Sequence, residues 1–101
     1  MLNIEKIVGE GLVTVNLTGR LDTNTSAELK AELEPIWTAG EMDIVMDLSN
    51  LAYVSSAGLR VFLTSEKRCK ASGKTMKLTG VSQSIREIFD IVGFSGILTI
   101  E

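Results

Sequence analysis

A chain of 101 residues, 45% of them apolar, can build one hydrophobic core but leaves little volume for a deep catalytic cavity. The net charge of −3 and a pI near 4.9 argue against nucleic acid as a partner, because phosphate backbones are held through clustered lysine and arginine. With no histidine and a single cysteine, Cys69, the chain cannot form a Ser-His triad, an intramolecular disulfide or a zinc cluster.

The lone cysteine suits a reducing compartment. Met1-Leu2-Asn3-Ile4-Glu5-Lys6 lacks the apolar core of a secretion signal. No apolar run approaches the roughly 20 residues that cross a bilayer. A cytoplasmic protein without membrane insertion is therefore expected. The densest basic stretch, residues 67–77, is broken by Ser72 and Gly73 and has no interleaved aromatics, so it reads as a solvated helix end.

In chain order, the first 18 residues read as a hairpin. Val13, Val15 and Leu17 alternate with Thr14, Asn16 and Thr18, the period of a strand with one buried face. Leu2–Val8 is its expected partner, joined through Gly9-Glu10-Gly11. The period then changes. Thr25 and Glu28 match a capping box, followed by Leu29, Leu33 and Ile36 on one helical face. Pro35 predicts a kink or an early end to this helix.

Ile44-Val45-Met46 has no alternation and reads as a central strand buried on both faces. A second helix should start near Gly58 and bury Leu59, Phe62 and Leu63, while Glu66-Lys67-Arg68-Cys69-Lys70 faces solvent and Gly73 ends it. Met76 and Leu78 mark a fourth strand. Ser84 and Glu87 suggest another capping box, ahead of an amphipathic helix bearing Ile85, Ile88, Phe89 and Val92 that Gly93 can end. Residues 97–100 supply a last strand. The order β-β-α-β-α-β-α-β implies one α/β domain over residues 1–101, a mixed sheet of about five strands with about three helices packed on it.

Chemistry-bearing patterns are few. Asp43 and Asp47 flank a buried run, but nothing pairs them as acid and base, and solvated strand ends describe them better. Gly73-Lys74-Thr75 resembles the end of a phosphate-binding loop, yet Arg68 stands where that loop needs glycine, and the tripeptide follows a helix instead of preceding one. What remains is Tyr53-Val54-Ser55-Ser56-Ala57-Gly58-Leu59, where a strand delivers two hydroxyls to a helix start. One serine there can act as the N-cap. The free N–H groups and the helix dipole also favour an anion at that place, so a phosphate on such a serine would be stabilised.

Leu17-Thr18-Gly19-Arg20-Leu21-Asp22, then Val45-Met46-Asp47-Leu48-Ser49, then the segment from Tyr53 through Leu59 together resemble the STAS domain family, which comprises bacterial anti-sigma factor antagonists and sulfate-transporter C-terminal domains. The resemblance runs from about Asn3 to Glu101 and is greatest to the free-standing antagonists. It implies that Ser56, two residues before Gly58, is the phosphoacceptor, with Ser55 as second choice, and that Asp22 lies close by. Asp22, Thr23, Asn24, Ser55, Ser56, Ala57, Gly58 and Leu59 would form the partner-binding surface. The chain departs from the family at Ser55, where antagonists commonly carry aspartate, and at Ala57, where serine or threonine is usual.

The resemblance further implies a non-enzymatic switch without a cofactor. Unmodified protein would bind an anti-sigma factor that is also a serine kinase and so free a sigma factor. Phosphorylation of Ser56 would switch binding off, and a phosphatase would reset it. It leaves the oligomeric state open between monomer and weak dimer. The alternatives are a STAS scaffold subunit of a stress-sensing or lipid-transport complex, which uses the same surface unphosphorylated, and a small-molecule-binding module.

Overall fold

The computed structural model describes residues 1–101. Strands β1 (Leu2–Val8) and β2 (Leu12–Leu21) form the expected antiparallel hairpin. There follow α1 (Thr23–Ala39), β3 (Asp43–Val54), α2 (Ser56–Ala71), β4 (Met76–Thr79), α3 (Gln83–Ile91), a short 3-10 turn over Phe94–Gly96, and β5 (Thr99–Ile100). The strands lie in the order β1-β2-β3-β4-β5, with β2 through β5 parallel to one another. Each parallel step needs a crossover, and each crossover contains a helix.

All three helices cover the same face of the sheet. Val13, Val15, Leu17 and Leu21 of β2, Ile44, Met46 and Leu48 of β3, and Met76 and Leu78 of β4 join Leu29, Leu33, Phe62, Ile85 and Phe89 of the helices in one continuous core. The opposite face stays in contact with water. There Glu5 is exposed, while Asn16, Val45 and Asp47 are half-buried. The expectation that Ile44-Val45-Met46 is buried on both faces is therefore corrected: Val45 points to the helix-free side, where no layer covers it. A strand of the parallel type can show an unbroken apolar run without two covering layers.

The helices are tied together by specific contacts. The buried Trp37 indole N–H donates to Ser65 Oγ at 2.9 Å, linking α1 to α2. The rings of Phe62 and Phe89 meet edge to face at 6.1 Å, linking α2 to α3. Near the C-terminal end of α2 the structure differs from expectation, since Glu66 and Cys69 are buried. Glu66 Oε2 approaches the largely exposed Lys70 ammonium at 3.8 Å, one turn on, while its Oε1 is buried without a hydrogen-bond partner. Burial pushes the Cys69 thiol above its ordinary pKa, which leaves it protonated and unreactive.

Neither expected capping box forms: α1 has its box in another frame, and α3 has a single side-chain cap. In α1 the cap is Asp22, whose extended backbone (φ −99°, ψ −171°) suits that role, and its box partner is Thr25 rather than Glu28. In α3 the cap is Ser82, which accepts from Ile85 N at 3.3 Å; Ser84 is already inside the helix, and Glu87 accepts from Gln83 instead. Gly73 (φ +71°) and Gly93 (φ +78°) do follow α2 and α3 in the left-handed conformation expected of them.

Pro35 does not end α1 early, for the helix continues to Ala39 and closes on a left-handed Gly40. The packing of Leu33 and Trp37 on either side of Pro35 outweighs the lost backbone donor. That loss remains a cost. Replacing the ring by alanine restores a backbone hydrogen bond and removes the clash with the preceding turn, partly offset by a freer unfolded chain. Pro35→Ala is expected to raise stability by about 1 kcal/mol in urea titration.

Candidate phosphoacceptor and partner-binding site

Parallel strands β2 and β3 finish side by side. Leu21 pairs with Val54, and Ser55 N donates to Leu21 O at 2.8 Å. Both chains then enter helices at their next residues, so Asp22 caps α1 and Ser55 caps α2. Adjacent strands are about 4.8 Å apart, which sets two helix N-termini next to each other at one end of the sheet. Their unpaired N–H groups and dipoles make this the electropositive end of both helices.

The cap at Asp22 is closed from several directions. Its Oδ1 accepts from Thr25 N at 2.9 Å, and its own N–H donates to Thr25 Oγ1 at 2.8 Å. Thr25 Oγ1 in turn lies 2.8 Å from Arg20 O, and Ser26 Oγ donates to Asp22 O at 2.5 Å. The Thr25 backbone N–H, followed by its hydroxyl, holds the Asp22 carboxyl below its usual pKa. A depressed folded-state pKa stabilises above the unfolded carboxylate range and is lost as pH falls through the lowered value. Asp22 is thus a fixed negative charge at neutral pH.

The two serines divide the work. Ser55 has cap geometry (φ −91°, ψ 172°), and its Oγ accepts from Gly58 N at 3.2 Å. Ser56 is the first residue of α2, is exposed, and leaves its hydroxyl without a partner inside the chain. The serine with a structural duty is therefore Ser55, and the reachable hydroxyl belongs to Ser56. Thr23 and Asn24, in the first turn of α1, are exposed beside it, and Ala57 is half-buried.

Gly58 and Leu59 do not join that surface. Leu59 is only 7% exposed and packs in the core, a correction to its expected place among contact residues. Gly58 is buried, and a Cβ there would stand 2.8 Å from the Leu21 side chain and 3.0 Å from that of Val54. Its role is to let the start of α2 lie directly on the ends of β2 and β3.

Sequence reasoning missed two features of this end of the molecule. The exposed Arg20 guanidinium sits 4.2 Å above the Tyr53 ring, a pair formed only because β2 and β3 bring those residues into register. A groove between α1 and α2 also opens beside Ala57 and carries Lys30 and Arg60. The other carboxylates considered earlier are structural. Asp43 accepts from Thr75 N at 2.9 Å, and Asp47 accepts from Ser49 N at 2.9 Å and from the Ser49 hydroxyl. These donors hold both below their usual pKa, with the Thr75 backbone N–H leading at Asp43 and the Ser49 hydroxyl leading at Asp47. Because Thr75 N is already engaged, the Gly73-Lys74-Thr75 segment cannot cradle a phosphate in this arrangement.

The family model described as "Mlab, STAS domain" matches residues 9–99. The chain belongs to the STAS domain family. The anti-sigma-B factor antagonist of Staphylococcus epidermidis is 34% identical to it over 97 residues, covering 96% of this chain and 90% of that protein. Among solved structures, the anti-sigma factor antagonist SpoIIAA in its unphosphorylated form superposes with a TM-score of 0.83 at 20% identity, over 100% of this chain and 88% of that one. The Bacillus cell fate determinant SpoIIAA in the phosphorylated form gives 0.78 at 20% identity, over 100% and 91%. At that identity the structural likeness establishes a shared STAS fold, a five-stranded mixed sheet with three helices in the same order.

Proposed function

We propose that this STAS domain is an anti-sigma factor antagonist that is switched off by phosphorylation of Ser56. The observation that carries this reading is the pair of serines at the start of α2: Ser55 holds the cap, while the Ser56 hydroxyl is exposed and unengaged. The curated relatives' role as anti-sigma-B factor antagonists supports the partner class.

In the unmodified state the exposed first turns of α1 and α2 meet the anti-sigma factor, which thereby releases its sigma factor. The anti-sigma factor then acts as a serine kinase on Ser56. A bond forms between Ser56 Oγ and the γ-phosphorus of ATP, the bond from that phosphorus to the β,γ-bridging oxygen breaks, and ADP leaves. The hydroxyl proton passes to a base on the kinase. Nucleotide and base both come from the partner. A phosphatase returns the hydroxyl by hydrolysis.

A phosphate adds a charge of roughly −1.5 to −2 next to the fixed negative charge of Asp22. The helix N-terminus stabilises that phosphate within the protein, so the fold is kept while the binding surface gains negative charge. Incubation with the cognate anti-sigma kinase and ATP, followed by mass spectrometry of the peptides, should place one phosphate on Ser56. Ser56→Ala should remove the label and Ser55→Ala should retain it. Labelling that survives in Ser56→Ala would move the site. Absence of any label alongside intact partner binding would leave a scaffold that uses this surface unmodified.

A further inference from the structure

The groove between α1 and α2 has a volume of about 170 Å³ and is bordered by Thr23, Ala27, Lys30, Ala57, Arg60 and Thr64 among its eight residues. Lys30 and Arg60 are its only charged side chains; both are exposed, and neither belongs to any of the four ion pairs in the molecule. The carboxylates of α1 are directed elsewhere. Glu32 pairs with Lys6 of β1, Glu34 pairs with Arg68, and Glu28 lies with Leu2 and Ile4 at the other side of the helix. In a chain of net charge −3, this leaves a small, purely cationic trough with no internal counter-charge.

The trough is continuous with the switch surface. Thr23 and Ala57 belong to both, and Arg60 lies four residues after Ser56, one turn along α2. From this we infer that the groove receives a carboxylate-bearing segment of the anti-sigma factor, with Lys30 and Arg60 as the cations that select it. The inference rests on the antagonist reading above and names the chemistry of that partner. Arginine is well suited to the task, because its planar fork meets a carboxylate through two parallel hydrogen bonds. A phosphate on Ser56 would be carried by the residue next to Ala57, which lines the trough. It competes for Arg60 as well as repelling acidic side chains, so one modification acts twice on one surface.

The test is isothermal titration of the anti-sigma factor into the wild type, Lys30→Glu, Arg60→Glu and the double variant, each at low and raised salt. Both side chains are solvent-exposed, so the thermal midpoints should remain close to the wild type. Neutral Lys30→Gln and Arg60→Gln variants keep the comparison usable if a reversal disturbs folding. Each reversal is expected to weaken binding about tenfold or more, the double variant further, with the wild-type affinity falling as salt rises. Affinity within about twofold of wild type in the double variant overturns the groove assignment and leaves the Ser56 switch intact. A change in self-association without a change in partner affinity overturns it too, by placing a second copy of the chain in the trough. Conversely, full affinity in Ser56→Asp with weakened Lys30→Glu and Arg60→Glu would overturn the switch and keep the groove. A wild-type protein that does not bind the anti-sigma factor overturns both.

Discussion

Ser56→Asp is expected to weaken binding to the anti-sigma factor by about a hundredfold or more, while Ser56→Ala stays within a few-fold of wild type. The asymmetry follows from geometry. The Ser56 hydroxyl has no internal partner, so its removal breaks nothing within the fold. Aspartate, by contrast, places a carboxylate at the exposed start of α2, beside a neighbouring helix already capped by ionised Asp22. Acidic groups of the partner brought against this added charge cost several kcal/mol across the interface, and about 1.4 kcal/mol is a factor of ten. The negative end also suits the dipole of α2, so Ser56→Asp should fold at least as well as the wild type. Calorimetric titration with each variant checks the prediction. Equal affinities for the two would remove the electrostatic basis of the switch.

Gly58→Val has the largest expected effect on the fold itself. Its Cβ would stand 2.8 Å from Leu21 Cγ and 3.0 Å from Val54 Cγ2, and both of those residues are almost fully buried at the strand ends. Neither can yield without moving a strand or lifting the first turn of α2. The overpacking should cost about 3 kcal/mol, at the upper end of what an added core side chain usually imposes. For a domain of this size that lowers the thermal midpoint by roughly 15 °C. Partner affinity should fall as well, because the same displacement carries Ser55 and Ser56 away from α1. A melt unchanged from wild type would show that the two helix starts are not held by this contact.

Most of the element order could be read from the chain because its periodicities are clean. Alternation along Val13, Val15 and Leu17 and the glycines after α2 and α3 leave little choice of structure. The misreadings have physical causes. Capping-box patterns recur in overlapping frames, and only backbone dihedrals distinguish Asp22 from Thr25 or Ser82 from Ser84 as the cap. An apolar run cannot report how many layers cover it, so Val45 looked like core. Glu66 is a charge buried against the trend for its type, with its lysine partner a turn away. At the site, the motif pointed to the serine pair, but which hydroxyl is engaged depended on the hydrogen bond from Gly58 N to Ser55 Oγ. Leu59 sits in that motif for packing. Lys30 and Arg60, on separate helices, carry no local pattern that would have brought them together.

For the switch to work, one phosphate at Ser56 must be tolerated by the fold and refused by the partner. Protein carrying phosphoserine installed at position 56 during synthesis allows both halves to be measured on one sample, by thermal melting and by titration with the anti-sigma factor. The expected result is a cooperative melt close to that of the unmodified protein, with affinity reduced about a hundredfold or more. Phosphorylated protein that binds as tightly as the unmodified form, or that no longer folds, would contradict it.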